Sequence, residues 1–249
     1  MNKYLECAYW TVVTALLVAG VAAPPSASAQ IPDDKPYVFF LFDQLEYAPQ
    51  PSERPIGLEA IGWFGGDINR AWIRAEGEQS TREGLNGEGE AEIEALYGRL
   101  VTPYFDAVAG VRTDVRWGRD DARRGFLAAG MQGLAPYLFE VEPTLYVSHE
   151  GDVSAEFTAS YNVLFTQRLI LEPEVEARAA VQSVPDWGVG SGVNDVELGV
   201  RLRYEFHRKF APYVGYTQRW MFGETADLAR GDGEDPNDGA VVFGVRLWR

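Results

Sequence analysis

The feature that most constrains this chain is a two-residue alternation of charged and uncharged side chains along segments of roughly nine to thirteen residues. Between 105 and 117, Asp106 and Arg112 lie on one parity, and the opposite parity is uncharged. The same alternation runs through 169–179 and 195–206. Because successive side chains of a strand point to opposite faces, these segments are predicted to be β-strands with one charged and one uncharged face.

Twelve segments of this kind account for most of the chain. They are 37–47, 57–65, 69–77, 90–101, 105–117, 125–134, 138–148, 153–165, 169–179, 195–206, 210–222 and 240–249. Both parities carry apolar residues in 37–47, 125–134 and 210–222, so the facing of these three stays open. Pro173 has no N–H to give to a strand ladder, so we expect a bulge or a local weakness there.

The connections between these segments alternate between tight turns and longer polar loops. The tight turns are 66–68, 102–103, 135–137, 166–168 and 207–209. The others are 48–56, 78–89, 118–124, 149–152, 182–190 and 223–239, of which only 149–152 is short. A soluble sandwich gives no reason for this sorting, whereas membrane barrels have short periplasmic turns and long outer loops. The sequence therefore predicts an all-β fold, a transmembrane antiparallel β-barrel of about 12 strands with short periplasmic turns and longer extracellular loops.

Aromatic residues gather at the ends of the predicted strands, where barrels carry an interfacial girdle. They are Tyr104, Phe105, Trp117, Tyr137, Phe139, Tyr204, Phe206, Phe210, Tyr213, Trp220 and Trp248.

The beginning of the chain predicts export. Lys3 precedes an apolar run at 11–23, which is too short to span a membrane, and Ala27-Ser28-Ala29 forms a small-x-small cleavage pattern. The expected organisation is a signal peptide at 1–29 cleaved before Gln30, a short periplasmic segment at 30–36, and a barrel at 37–249 in the bacterial outer membrane.

Composition excludes several function classes. The formal net charge of −15 argues against nucleic-acid binding, which needs clustered Lys and Arg to neutralise phosphates. The only cysteine, Cys7, lies in the predicted leader, which excludes a disulfide framework and a Cys-rich zinc site.

The charged parity is expected to face the lumen, because a lipid-facing Arg or Lys at the membrane midplane costs roughly 2–4 kcal/mol. The predicted lumen carboxylates are Glu76, Glu92, Glu94, Asp106, Asp114, Glu140, Glu142, Glu156, Glu172, Glu174, Glu176, Asp195, Glu197 and Glu205. The predicted lumen arginines are Arg70, Arg74, Arg112, Arg116, Arg178, Arg201, Arg203 and Arg246. The surplus of acid favours cations in the interior. The alternative is that Arg–carboxylate ladders simply satisfy one another.

Several stretches of sequence together carry a family resemblance. They are Asp43-Gln44-Leu45-Glu46, Trp63-Phe64-Gly65-Gly66-Asp67-Ile68-Asn69 with Trp72 and Glu76-Gly77-Glu78, Gly110-Val111-Arg112-Thr113-Asp114, Gly133-Leu134-Ala135-Pro136-Tyr137 with Phe139-Glu140, Thr166-Gln167-Arg168-Leu169-Ile170-Leu171 with Pro173, Gly188-Val189-Gly190-Ser191-Gly192, Asp195, Glu197-Leu198-Gly199, Arg201-Leu202-Arg203-Tyr204-Glu205 and Phe210-Ala211-Pro212-Tyr213. In these stretches the chain resembles the copper resistance protein B family of bacterial outer-membrane proteins. The resemblance implies an outer-membrane barrel that acts in copper homeostasis and resistance. Many members carry a Met- and His-rich extension before the barrel; here only 30–36 precede it, without His or Met.

Four residues after the predicted leader could offer copper a nitrogen or sulfur donor: His149, His207, Met131 and Met221. His149 is expected in an outer loop beside Glu150 and Asp152, either as a transient Cu(II) contact or simply as an exposed loop residue. His207 is expected at the opposite end of the barrel, so the two histidines cannot share an ion across about 30 Å. The methionines are expected to pack against lipid or neighbours. Copper is therefore expected as a transient ion.

Two further sets of residues suggest other chemistries. The acidic loop 231–238 could hold Ca²⁺ loosely, but Pro236 stands where a ligand should be, and a solvated loop is the alternative. Ser148, His149 and Asp152 are the residue types of a serine hydrolase. Adjacent strand side chains point to opposite faces, so we expect no enzyme.

Two functions remain open from the sequence. The first is an outer-membrane barrel that binds or passes copper ions through an acidic lumen. The second is a plugged structural barrel, or a general small-cation porin, whose link to copper comes through a periplasmic copper protein. The expected partners are thus outer-membrane lipid, copper ions and that periplasmic protein, with no nucleic acid.

Overall fold

Twelve antiparallel strand positions close into a barrel in the computed structural model, which describes residues 35–49, 56–79, 88–118 and 121–248. The strands are β1 (Tyr37–Tyr47), β2 (Ile56–Gly65), β3 (Asn69–Gln79), β4 (Gly89–Thr102), β5 (Phe105–Trp117), β6 (Ala122–Ala135), β7 (Phe139–Ser148), β8 (Val153–Ser160), β9 (Val163–Leu164), β10 (Leu169–Ala180), β11 (Gly192–Tyr204), β12 (Phe210–Met221) and β13 (Asn237–Trp248). Both β8 and β9 pair with β10, so they are two parts of one strand. The predicted all-β barrel of twelve strands is confirmed.

The barrel closes because its first and last strands pair with each other. Leu41 and Phe42 of β1 lie opposite Trp248 and Leu247 of β13, and every other neighbouring pair in the ring is consecutive along the chain. A closed ring has no edge, so backbone donors and acceptors are satisfied without water.

The interruption between β8 and β9 lies beside Pro173, where a weakness was expected. The register continues across the gap, since Ser160 pairs with Glu174 and Val163 with Leu171. Tyr161 N still donates to the carbonyl oxygen of Pro173 at 3.1 Å, but the proline returns no hydrogen bond. The strand predicted at 153–165 is therefore broken locally without a change of facing.

The two faces of the wall differ sharply in exposure. On β4, Ile93 and Tyr97 are 46% and 56% exposed, whereas Glu94 and Leu96 are only 7% and 4% exposed. The outer face is thus apolar, as the lipid-facing band of a membrane barrel requires. The inner face carries the charged residues.

The structure resolves the three segments whose facing the sequence left open. Leu41 of β1, Phe126 and Ala128 of β6, and Tyr213 and Arg219 of β12 are all buried on the inner face. The prediction of Tyr213 as a girdle residue is wrong, because it lies inside the barrel with 8% exposure. Apolar residues on both parities of β12 concealed its direction.

The connections follow the predicted sorting by length. Short ones join β2 to β3, β4 to β5, β6 to β7, β9 to β10 and β11 to β12, and the four long ones, after β1, β3, β10 and β12, lie at the other end. Two connections at that end have only four residues: 149–152, as expected, and 118–121, which is shorter than the predicted loop 118–124 because β6 begins at Ala122. Two long loops contain structure that the alternation did not predict, a 3₁₀ turn at Pro185–Trp187 and a helix, α1, at Gly223–Asp232. The helix ends at Gly233, whose φ of 82° suits glycine. Among the described residues, no helix has the length and apolar character needed to cross a membrane.

Several predicted features lie outside the described residues. These are the signal peptide at 1–29, its cleavage before Gln30, the segment up to residue 34, and most of the loops at 50–55 and 80–87.

Candidate functional site

A polar cavity of about 200 Å³ occupies the interior of the barrel. Its lining extends from Glu140, beside the short turn after β6, to Glu78 and Asp238 near the longer loops. The fourteen acidic residues of the lining are Asp43, Glu46, Glu59, Glu76, Glu78, Glu92, Glu94, Glu140, Glu142, Glu156, Glu174, Glu176, Glu197 and Asp238, and the four basic ones are Arg74, Arg112, Arg201 and Arg219. The lining is therefore strongly acidic in formal charge.

Arg178 joins opposite walls of the barrel. Its guanidinium lies 2.5 Å from Glu176 and 3.5 Å from Glu76. Because β10 and β3 are six positions apart in a ring of twelve, the contact between Arg178 and Glu76 crosses the full lumen. A third carboxylate, Glu156, lies 3.7 Å away.

Two further arginines connect strands that are not neighbours. Arg74 of β3 lies 2.7 Å from Glu142 of β7. Arg219 of β12 lies 2.9 Å from Glu197 and 3.7 Å from Glu78 of β3. These ion pairs narrow the interior from several directions.

A second group of ion pairs surrounds β1 and β11. Arg201 lies 2.6 Å from Glu46 and 2.9 Å from Glu174, and it also donates to Gln44 at 2.7 Å. Arg246 lies 2.8 Å from Asp43 and 3.4 Å from Glu172, which also contacts Arg203. Each of these carboxylates contacts at least one arginine on another strand.

Arg112 lies where the charged and apolar parts of the interior meet. It contacts Glu92, and its guanidinium lies 2.7 Å from Asp114 and 3.3 Å from Glu156. The same group lies 4.6 Å from the centre of the Tyr146 ring, a cation–π distance.

An apolar cluster on the inner face was not predicted. Leu96, Val108, Phe126, Ala128 and Tyr146 pack together with less than 9% exposure, although Leu96, Val108 and Tyr146 lie on the charged parity of their strands. The sequence concealed them because they share a parity with charged or small residues, as Leu96 does with Glu94 and Gly98. This cluster fills the part of the lumen beside β4 to β7.

Two cavity carboxylates stand apart from this network. Glu59 and Glu140 make no ion pair within 4.0 Å in the part of the chain that the structure describes. Glu59 is opposite Gln44 of β1 and Glu76 of β3 in the strand registers. These two carboxylates therefore differ from most other acids of the cavity, which contact an arginine.

The loop between β10 and β11 reaches across the outer mouth. Arg116 of β5 lies 4.4 Å from the centre of the Trp187 ring and donates to the carbonyl oxygen of Asp186 at 3.2 Å. Arg124 of β6 lies 5.9 Å from the same ring. Since β5 and β10 are four positions apart in the ring, the loop covers part of the opening.

Helix α1 is hydrogen-bonded to the other side of the loop between β10 and β11. Thr225 accepts hydrogen bonds from the backbone of Gly190 at 2.9 Å and from Asn194 at 2.8 Å. Glu224 accepts from the backbone N–H of Ser191 at 3.2 Å and from the Ser183 hydroxyl at 2.9 Å. These hydrogen bonds, led by the one from Ser191, lower the pKa of the Glu224 carboxyl.

The turn between β7 and β8 is organised by Asp152. Its carboxylate accepts from the Ser148 hydroxyl at 2.9 Å and from Arg124 at 2.6 Å. These contacts, led by the one with Ser148, lower the pKa of Asp152 from its ordinary value of 3.8.

The predicted lumen residues divide among four places. Glu140, Glu142, Glu174, Glu176, Glu197, Arg112 and Arg201 line the cavity. Glu172 and Arg203 line a smaller adjoining space, and Arg116 is at the mouth. Asp195 is buried outside the cavity lining.

The sequence missed Asp43, Glu46, Glu59, Glu78, Asp238 and Arg219 as lining residues. Asp43 follows Phe42, where the pairing of β1 with β2 shifts, so parity alone misplaces the residues that follow. Arg219 lies on a strand of uncertain facing. A register between neighbouring strands would have found both.

The four candidate copper donors are distributed over the molecule. His149 and His207 are exposed in turns at opposite ends, and Met131 is 41% exposed on the outer face. Met221 is paired with Asp195 in the strand register. Among residues 35–49, 56–79, 88–118 and 121–248, no three His, Cys, Asp or Glu side chains form a group that could hold a metal ion.

The residues considered for serine-hydrolase chemistry and for Ca²⁺ binding have the following contacts. The Ser148 hydroxyl donates to Asp152, while His149 Nδ1 lies 3.4 Å from the carbonyl oxygen of Gly125. In the acidic loop 231–238, Gly231 and Asp232 belong to the last turn of α1, and Asp235 accepts a hydrogen bond from the backbone of Asn237 at 2.9 Å.

Comparison with known proteins identifies relatives of the whole barrel. A family model described as "Copper resistance protein B precursor (CopB)" matches residues 36–249. Copper resistance protein B of Escherichia coli is 41% identical over 84% of this chain and 68% of its own length. The copper resistance protein B homolog of Pseudomonas syringae pv. tomato is 39% identical over 88% of this chain and 72% of its own length.

Among solved structures, the NanC porin is similar in fold. It superposes with a TM-score of 0.52 over 85% of this chain and 99% of its own, at 10% sequence identity. At that identity the likeness concerns the barrel alone. The family match, the two relatives and the closed barrel agree with one another, and the chain belongs to the copper resistance protein B family of outer-membrane barrels.

Proposed function

We propose that this barrel contributes to copper resistance by passing copper ions through its interior, where they meet carboxylates and are released again. The observation that carries the proposal is the cavity, whose lining of fourteen acids and four arginines extends from near one end of the barrel to near the other. An acidic, low-dielectric interior concentrates cations over anions. The proposed role is a transport role without catalysis.

The proposed binding is weak. Most lining carboxylates already contact arginine, and an ion must compete with those contacts. Within the described part of the chain there is also no ready group of three metal-binding side chains. Passage requires binding that is loose enough to release the ion, so weak binding is consistent with transport.

Glu59 and Glu140 are the proposed points of first contact. Both line the cavity, and within the described residues neither has a cation within 4.0 Å. Glu140 is exposed beside the short turn after β6, and Glu59 lies deeper on β2. Glu142 and Glu174 line the same cavity and are the further carboxylates proposed to meet the ion.

The test is copper tolerance and copper accumulation in cells that carry no barrel, the wild-type barrel or a variant. We expect loss of the barrel to change both quantities, and the double variant Glu59→Gln/Glu140→Gln to behave like the loss. A matched control, Glu150→Gln/Asp232→Asn, removes two charges from exposed outer positions and should behave like wild type. If loss of the barrel changes neither copper tolerance nor copper accumulation, the proposed role in copper resistance is wrong. If loss of the barrel changes them but the Glu59→Gln/Glu140→Gln variant behaves like wild type, the proposed points of contact are wrong.

A second candidate function is favoured by the ion pairs that cross the lumen. Arg178 and Glu76 connect opposite walls at 3.5 Å, as a closed structural barrel would require. In that case the link to copper would come from a periplasmic copper protein that binds the barrel. Conductance separates the two candidates, because a closed barrel carries no ion current.

A further inference from the structure

One corner of the barrel carries three basic side chains that form no ion pair with any residue the structure describes. Arg168, Arg208 and Lys209 are exposed in two neighbouring short turns, which are joined by a 2.8 Å hydrogen bond from Glu205 N to the carbonyl oxygen of Arg168. Within the described residues, none of these three has a carboxylate within 4.0 Å. In the same structure, all four arginines of the cavity are paired with carboxylates.

Exposed aromatic rings lead from the lipid-facing wall to this corner. The rings of Tyr204 and Phe206 are 5.0 Å apart, and those of Phe206 and Phe210 are 6.5 Å apart. Their exposures of 40%, 57% and 40% place them on the outside of the barrel. Lys209 Nζ lies 6.0 Å from the centre of the Trp248 ring. Aromatic residues of this kind lie at the level of lipid headgroups.

The cations therefore lie at headgroup level, at the end of the barrel with the short turns, which is the periplasmic end in outer-membrane barrels. We propose that Arg168, Arg208 and Lys209 bind the headgroup of an anionic phospholipid in the periplasmic leaflet. We call these residues, with Phe206 and Phe210, the basic corner. Guanidinium groups suit phosphate because they donate two parallel hydrogen bonds, and the aromatic rings beside them lie at the same headgroup level.

Neighbouring charges do not cancel this patch. Glu205 lies in the same turn, half-buried, and offsets one of the three positive charges. His207 is exposed between them and is available as a further donor. The lipid is favoured over a protein partner because the basic corner continues the wall that already faces lipid. The patch also opposes the net charge of −15 carried by the chain as a whole.

The test is native mass spectrometry of the folded barrel in a nonionic detergent, titrated with phosphatidylglycerol or phosphatidylcholine. We expect the wild-type barrel to retain phosphatidylglycerol preferentially. The double variant Arg168→Gln/Arg208→Gln should weaken that retention by roughly fivefold for each charge removed. The matched control Arg123→Gln/Arg230→Gln removes two exposed arginines from the other end of the barrel and should retain the preference.

Three outcomes would overturn the proposal. The first is that the control loses phosphatidylglycerol retention as much as the Arg168→Gln/Arg208→Gln variant does. The second is that this variant retains phosphatidylglycerol as wild type does. The third is that it loses copper tolerance while its lipid retention is intact, which would indicate a protein partner. Heat-dependent mobility on gels checks that each barrel is folded. The single variant Lys209→Gln, at an exposed side chain, provides a second measurement if the double variant does not fold.

Discussion

Among single residues, Arg112 shows how the interior is held together. One guanidinium serves Glu92, Asp114 and Glu156 and also lies over the Tyr146 ring. Its side chain is only 10% exposed. The loss of such a group leaves several carboxylates without compensation, which costs more than the pair contributed when intact.

Replacing Arg112 by Met is therefore expected to lower the free energy of unfolding by about 3–5 kcal/mol. Methionine keeps most of the side-chain volume, so the effect comes from the charge. Denaturant unfolding of the refolded barrel measures it. Arg123→Gln, at an exposed position on β6, should change the free energy by less than about 0.5 kcal/mol. Similar effects of the two variants would contradict the shared-charge interpretation.

The ionisation of Asp152 is expected to make the stability of the folded barrel depend on pH. Hydrogen bonds from Ser148 and Arg124 lower its pKa below 3.8, so the ionised form is favoured in the folded turn. Its contribution to stability is present above about pH 3.8 and is lost as the pH falls through the lower folded value. We expect Asp152→Asn to be less stable than wild type at pH 7.

That difference should shrink as the pH is lowered through this range, and urea midpoints measured at pH 7 and at pH 3 would show it. Glu150→Gln in the same turn is the control and should show no comparable change. A difference between Asp152→Asn and wild type that is independent of pH would exclude the carboxylate as the cause.

Some residues of the site could be predicted from sequence and others could not. Glu174 and Arg201 follow the parity of clean strands, so their inward direction is readable. Glu46 comes after the shift in strand pairing that follows Phe42, and Leu96 is an apolar residue on a charged parity. Predicting the facing of a residue from parity requires an uninterrupted strand and a polarity that matches its face. Glu46 fails the first condition and Leu96 fails the second.

At the scale of elements, the strands were predictable and the long loops were not. The strand period follows from the geometry of the backbone, whereas the loop between β10 and β11 is held by contacts with distant residues. Trp187 contacts Arg116 and Arg124, which precede it by about seventy and sixty residues in the chain. No local pattern encodes such a contact.

Replacing Trp187 by Ala is expected to free the loop, because a cation–π contact at an exposed site contributes about 0.5–1 kcal/mol. Limited proteolysis of the folded barrel should then cut within 181–191 faster than in wild type, while the barrel itself stays folded. Trp187→Phe keeps an aromatic ring and should be cut at an intermediate rate. An unchanged rate for Trp187→Ala would mean that α1, through Thr225 and Glu224, holds the loop alone.

At the scale of the whole molecule, the ion pairs across the lumen decide whether the barrel is open. Arg178 and Arg74 both connect walls that are not neighbours. The double variant Arg178→Gln/Arg74→Gln should raise the conductance of the barrel in planar bilayers. It should also increase the preference for cations, because it removes two positive charges from an acidic interior.

Arg123→Gln/Arg230→Gln is the charge-matched control and should leave the current unchanged. If the Arg178→Gln/Arg74→Gln barrel folds and still carries no more current than wild type, these two arginines are not what closes the lumen. The apolar cluster around Leu96 and Phe126 would then be the remaining obstruction.

The pairing of β1 with β13 has a consequence for how the molecule can be built. The two strands at the extremes of the barrel sequence are neighbours in the wall, so the ring itself has no first or last strand. Joining these strands by a short linker at the end with the short turns, and opening the chain within one of the outer loops, would preserve every neighbour relation. The wall is complete only when its final strand has been made, so a ribosome that stops before β13 leaves a sheet with two open edges.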